Sequence, residues 1–295
     1  MLIIILMLFI GMGILIGILS GFFGVGGGFI LTPILLLMNY DPIFAITISL
    51  MYTIGTSLSG VLAHTKMKNV IWKDALIIAT SGVIATQVAY PFVLFLQKIG
   101  YDQFVIPLLF IVLLAYFAIN MLKGQRPPSM EKLTSNKTVV NKNLILILTG
   151  FAGGFLSTTL GVGGGFIIVP LLISYTNYPS RQAVGTSLMS VLFIVFVGFI
   201  TYMIKSPIDL TLGGILIVGG LLGAQIGAYL INSYEHHEVK IMLGLLFVVT
   251  FISMCLKLFH FDQTGLAIIA IFLFVLYFYM IRKFIHTKRE KSELS

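Results

Sequence analysis

Long unbroken apolar stretches, not alternating ones, organise this chain. The runs from Leu144 to Ile173 and from Leu210 to Ile231 each stay predominantly apolar for 20 residues or more. That length carries a helix across roughly 30 Å of hydrocarbon at about 1.5 Å per residue. Barrel strands would alternate with period two instead. Breaks in hydropathy predict segment A at 2–20, a short segment B at 28–38, C at 43–63, D at 74–97 and E at 104–122. A polar linker at 123–142 follows, and the order then starts again with A′ at 143–160, B′ at 165–176, C′ at 181–204, D′ at 210–233 and E′ at 240–257. A last helix, F, is expected at 264–285, running into a charged tail.

The second series repeats the first. Gly24-Val25-Gly26-Gly27-Gly28-Phe29-Ile30 returns as Gly161-Val162-Gly163-Gly164-Gly165-Phe166-Ile167, an offset of 137, and Pro33 returns as Pro170. After one inserted residue the offset is 138, which pairs Asn39-Tyr40 with Asn177-Tyr178, Ser49 with Ser187, Gly60 with Gly198, Gly82 with Gly220 and Gln87 with Gln225. Random apolar sequence aligns some Leu and Ile. It does not keep glycine, proline, asparagine and glutamine in register. The expected fold is an all-α polytopic membrane protein of two repeats with five helical segments each, one of them a short glycine-interrupted hairpin, plus a final C-terminal helix. The expected units are repeat 1 at 1–122, a cytoplasmic linker at 123–142, repeat 2 at 143–258, the last transmembrane helix at 259–285 and a cytoplasmic tail at 286–295.

Charge sets the orientation. If each A–B pair returns to its own side, three crossings remain per repeat, and an odd count inverts the second copy. Fifteen of the 18 Lys and Arg residues then share one side, leaving Lys98, Lys205 and Lys257 opposite; parallel repeats would split them ten to eight. The inverted arrangement satisfies the excess of basic residues in cytoplasmic loops, with the N-terminus outside and the C-terminus inside. The same excess accounts for the net charge of +8 without nucleic acid as a partner. Composition agrees with immersion in a bilayer: 58% of residues are hydrophobic and 9% charged, against about 25% charged in soluble domains.

Segments B and B′ are too short to cross. A span interrupted by glycines exposes unpaired backbone N–H and C=O groups, which must be buried in protein or line a wet cavity. Interrupted helices at equivalent places in two repeats point to a transporter's substrate site near the bilayer midplane. The helices that start after Gly28 and Gly165 offer free N–H groups and the positive end of a dipole. Glycines Gly24, Gly26, Gly27, Gly28, Gly161, Gly163, Gly164 and Gly165 let a ligand approach the backbone. That is chemistry for a small anion. The competing role for these glycines is tight helix packing. Neither loop is a nucleotide site, because Phe29-Ile30 and Phe166-Ile167 stand where a P-loop carries Lys-Ser/Thr.

Ser49 with Ser187, Thr186 beside the latter, and Gln87 with Gln225 add polar donors inside the spans, either for the anion or as interhelical hydrogen bonds. All ten acidic residues and all five histidines fall in loops or at segment ends. A carboxylate at mid-depth, which proton and sodium antiporters usually carry, is therefore not expected. Nor is the paired aspartate or serine–histidine machinery of an intramembrane protease. The lone Cys255 makes no disulfide framework. No metal, cofactor, nucleotide or nucleic acid is expected; the partners are a small anion and the lipid bilayer, with a homo-oligomer compatible.

The twin glycine loops with their prolines, followed by Ala183-Val184-Gly185-Thr186-Ser187 and by Gly223-Ala224-Gln225, resemble the sulfite exporter TauE/SafE family of membrane permeases. The resemblance covers about 10–280. The first repeat departs from it, reading Ala45-Ile46-Thr47-Ile48-Ser49 where the family more often has Ala-Val-Gly-Thr-Ser. The resemblance implies a secondary transporter of a small sulfur-containing anion such as sulfite or a sulfonate, in a bacterial plasma membrane. A membrane-embedded scaffold without transport is the alternative that the residues alone leave open.

Overall fold

A computed structural model describes residues 2–23, 26–122, 141–176, 178–206, 210–230, 234 and 236–293. These form eleven α-helices: α1 (Leu2–Phe23), α2 (Gly28–Leu37), α3 (Pro42–Lys66), α4 (Trp72–Lys98), α5 (Asp102–Leu122), α6 (Lys142–Leu160), α7 (Gly165–Thr176), α8 (Ser180–Lys205), α9 (Thr211–Leu230), α10 (His236–Leu258) and α11 (Asp262–Glu293). Each expected segment has its helix. Eight are long and apolar enough to cross a membrane, α11 over Asp262–Ile285, while Gly28–Leu37 and Thr211–Gly227 are shorter apolar stretches. Helix α11 continues past the expected end at 285, because no proline or glycine breaks its charged final turns. The expected linker lies outside the described residues, apart from Asn141 and Lys142.

The two series are interlocked. Gly13, Gly17 and Gly21 of α1 lie against Leu216, Gly220 and Ala224 of α9, and a methyl group on Gly17 would stand only 2.6 Å from the Gly220 carbonyl. In the equivalent pair, Gly150 and Gly154 of α6 lie against Ile78 and Gly82 of α4. The first helix of each series thus packs on the fourth helix of the other. Residue numbers rise together along both contacts, so both pairs run parallel. Small residues allow this backbone approach, and van der Waals contact is the main attraction between helices in lipid.

Helices α3 and α8 cross at the centre in opposite directions: Gly60 meets Leu188, and Gly198 meets Leu50. Along α4 and α8, hydrogen bonds link Ile71 to Thr186, Ala75 to Ser190, Gln87 to Thr201 and Tyr90 to Ser206. Those two helices therefore run parallel.

One end of the bundle is tied by a buried carboxylate. Asp74, in the first turn of α4 and 4% exposed, pairs with Lys142 at 2.7 Å and accepts a hydrogen bond from Tyr178. The Lys142 ammonium also sits 5.0 Å from the centre of the Tyr178 ring. The cluster joins α4, the start of α6 and the turn between α7 and α8. At another corner Lys257 bridges Asp262 at 2.9 Å and the Asn39 amide oxygen at 2.7 Å.

Candidate functional site

The second glycine loop breaks the helical path between α6 and α7. Gly161 ends α6 in the left-handed region (φ 70°), its N–H bonded to the Ser157 carbonyl at 2.8 Å. Gly163 (φ 78°) and Gly164 (φ 41°) are also left-handed, a conformation that L side chains rarely adopt. Inside α7, Ile167 and Ile168 donate back to the Gly164 carbonyl at 3.0 Å, and Gly165 donates to the Gly163 carbonyl. The N–H groups of Val162, Gly163, Gly164 and Phe166 meet no acceptor among the described residues. All four residues are buried. Pro170, one turn on, has no N–H for the Phe166 carbonyl, and Pro33 does the same for Phe29 in α2.

The two loops touch. Gly28 lies directly against the Gly161 carbonyl, and Gly26 (φ 86°) faces the Val162 carbonyl. Thr53 of α3 stands between them. Its hydroxyl accepts from the Gly28 N–H at 3.2 Å and donates to the Ser49 carbonyl at 2.8 Å, while its methyl faces both Gly26 and Gly163. Thr32 donates to the Gly28 carbonyl at 3.0 Å and reaches the Gly161 carbonyl at 3.5 Å. Gly27 is pressed on the Tyr52 ring, whose hydroxyl donates to the Gly13 carbonyl at 2.8 Å.

The surroundings are apolar or carry uncharged hydroxyls. Phe29 and Phe166, the residues that follow the two loops, pack edge-on against Phe247 and Phe117 at 5.5 and 5.2 Å, and Phe117 and Phe247 meet at 5.7 Å. Between residues 26 and 258 no described charged residue lies in the middle of a helix. The hydroxyls of Ser49, Ser157, Thr158, Thr159 and Ser187 are fully buried and have no hydrogen-bond partner. Ser49 lies on α3 between Ile46, which touches Gly161, and Thr53, which touches Gly163. At spacings of three and four residues these three share one helix face. Thr158 faces Gly198 of α8. Buried polar atoms are nearly always paired, so a group of unpaired ones calls for an explanation.

The residues singled out from the sequence separate into groups. Gly26, Gly27, Gly28, Gly161, Gly163, Gly164 and Gly165 are brought together in the loops, and Gly24 lies outside the described residues. Pro33 is buried in α2 and Pro170 half-buried in α7. Ser49 shares the α3 face on which Ile46 and Thr53 meet the second loop, and Ser187 is its equivalent in α8. The Thr186 hydroxyl is already engaged, accepting the Ile71 N–H at 3.1 Å where α4 begins. Gln87 and Gln225 lie on exposed faces of α4 and α9, and Gln87 donates to Thr201 at 3.1 Å. Thr32, Thr53 and Thr158 escaped the sequence comparison. The first two align with Val169 and Val191, so matching the repeats passes over them. The signal available was helical spacing, since Thr53 falls one turn after Ser49.

Helices long enough to span a bilayer, joined around two touching interrupted hairpins, define a polytopic membrane protein. The chain belongs to the sulfite exporter TauE/SafE family, whose model matches residues 9–254. It is 30% identical over 247 residues to a "Probable membrane transporter protein" of Xylella fastidiosa (strain 9a5c), covering 81% of this chain and 90% of that one. A protein of the same description from Methanocaldococcus jannaschii is 33% identical over 202 residues, covering 66% and 72%. One from Bacillus subtilis (strain 168) is 26% identical over 251 residues, covering 81% and 95%. No solved structure matches this chain.

Proposed function

We propose that this protein is a secondary permease for a small sulfur-containing anion, such as sulfite or a sulfonate, held between the two glycine loops near the bilayer midplane. One observation carries the reading: buried, unpaired N–H groups of Val162, Gly163, Gly164 and Phe166 belong to the loop that meets the α3 face carrying the unpaired Ser49 hydroxyl, in surroundings without a charged side chain. Such groups cost free energy unless something accepts from them. A small anion does so, and the N-termini of α2 and α7 add favourable dipoles. The opposite running of α3 and α8 supports inverted repeats, and the Lys and Arg distribution supports an N-terminus outside a bacterial plasma membrane and a C-terminus in the cytoplasm. The sulfur chemistry rests on the family name, and the site on the geometry.

The alternative is a scaffold in which the glycines only pack, and the tight seat of Gly27 on Tyr52 favours it for that one residue. The two readings part in a thermal-shift screen of detergent-solubilised protein against sulfite, sulfate, thiosulfate, sulfonates, carboxylates and cations. A specific anion at 100 times its dissociation constant stabilises the fold by about 2.7 kcal/mol. A shift with one sulfur anion supports the permease. Well-folded protein that shifts with no anion supports the scaffold.

A further inference from the structure

The donors gathered at the loops are all neutral: backbone N–H groups and the Ser49 hydroxyl, with Ser187 and Thr158 also buried and unpaired. No Lys or Arg lies in the middle of a described helix between residues 26 and 258. What positive potential the site has comes from helix ends, α7 beginning at Gly165 and α2 at Gly28, and the start of α2 lies against the Gly161 carbonyl that closes α6. Each helix N-terminus is equivalent to roughly +0.5 elementary charge. The carbonyl end of α6 beside Gly28 offsets part of this, so the two N-termini together match one negative charge at most. The phenylalanines behind the loops keep that side apolar.

Neutral dipoles have a consequence for ligand charge. The attraction of fixed dipoles for an ion grows in proportion to its charge, whereas the cost of removing the ion from water grows with the square of the charge. A second negative charge doubles the attraction and quadruples the penalty. Where a site must accept a dianion, charged partners such as arginine usually meet it. We infer that the two-loop site takes a singly charged oxyanion and discriminates against the doubly charged form of the same molecule. This inference rests on the proposed anion site and adds its charge selection.

Sulfite itself is the probe, because it passes from one to two negative charges between mildly acidic and mildly alkaline buffer. Methanesulfonate keeps a single charge throughout and serves as the reference. Affinities of the purified full chain for both are measured by calorimetry across that range. Sulfite affinity, counted on total sulfite, is expected to fall at least about tenfold on alkalinisation, a change of about 1.4 kcal/mol. Methanesulfonate affinity is expected to stay within about twofold over the same range. Sulfite binding that is unchanged or tighter in alkaline buffer overturns the charge selection and leaves the anion site standing. Failure of both anions to bind overturns the anion site and this inference with it.

Ser49→Ala ties the effect to the place. It removes an unpaired hydroxyl, so the fold should tolerate it, and methanesulfonate affinity should drop about tenfold. Ser253→Ala removes an equally buried and unpaired hydroxyl in α10, and its affinity should stay within about twofold. Equal effects of the two substitutions would overturn the assignment to the loops.

Discussion

Ser49 and Ser187 occupy equivalent places in α3 and α8, and neither hydroxyl has a partner. An unpaired buried hydroxyl contributes nothing to folding, so Ser187→Ala is expected to leave thermal stability unchanged or raise it by up to about 1 kcal/mol. The same substitution should weaken stabilisation by a sulfur anion, read as a smaller ligand-induced shift in melting temperature. A drop in stability without ligand would show that the hydroxyl is structural. Glycine substitutions discriminate less well. A valine at Gly27 would collide with the Tyr52 ring, so lost activity there would report packing as much as binding. The glycines and the paired serines were legible in the sequence because the repeat prints them twice. Thr53 was not, since its position in the second repeat is Val191. Its importance arises from two loops meeting across it, a juxtaposition that only the fold creates. Thr186 shows the reverse: its place beside Ser187 suggested a ligand, yet its hydroxyl receives the Ile71 N–H at the start of α4.

At the scale of elements, hydropathy predicted every helix, because a run of apolar residues in lipid has little option but to pair its backbone internally. The partners of those helices were not legible. Gly13, Gly17 and Gly21 recur every four residues, a visible face for close packing, but nothing local names α9 as the helix that meets it. The glycines of α9 answer from the other side: Gly219, Gly223 and Gly227 each press on the α1 backbone. Gly17→Val is therefore expected to cost about 1–3 kcal/mol through overpacking. Gly11→Val, where a methyl group meets nothing within 4 Å, should change stability by less than about 0.5 kcal/mol. Melting temperatures of the two variants in the same detergent check the pair. Similar losses in both would mean that α1 does not sit on α9 as described. The corner at Asp74 was likewise hidden. The sequence marks a carboxylate at a helix end; the fold surrounds it with Lys142 and Tyr178 from elsewhere in the chain.

The whole molecule is built so that neither series stands alone. Each first helix lies on the fourth helix of the other series, and the two central helices cross in opposite directions. An arrangement of this kind holds two interrupted hairpins against each other while leaving them free of charged side chains, which suits the proposed anion site, since a carrier must release what it binds. Charge is kept to the ends of the bundle, where Asp74 and Lys257 make their contacts. The activity proposed for this scaffold is the movement of a small anion across a bilayer. Its most direct test is flux: the purified chain is reconstituted into liposomes loaded with unlabelled sulfite or methanesulfonate, and entry of the labelled anion is followed. Saturable uptake above protein-free liposomes is expected, competed by the unlabelled anion outside and reduced by Ser49→Ala. Reconstituted, folded protein that passes no anion faster than empty liposomes would contradict it.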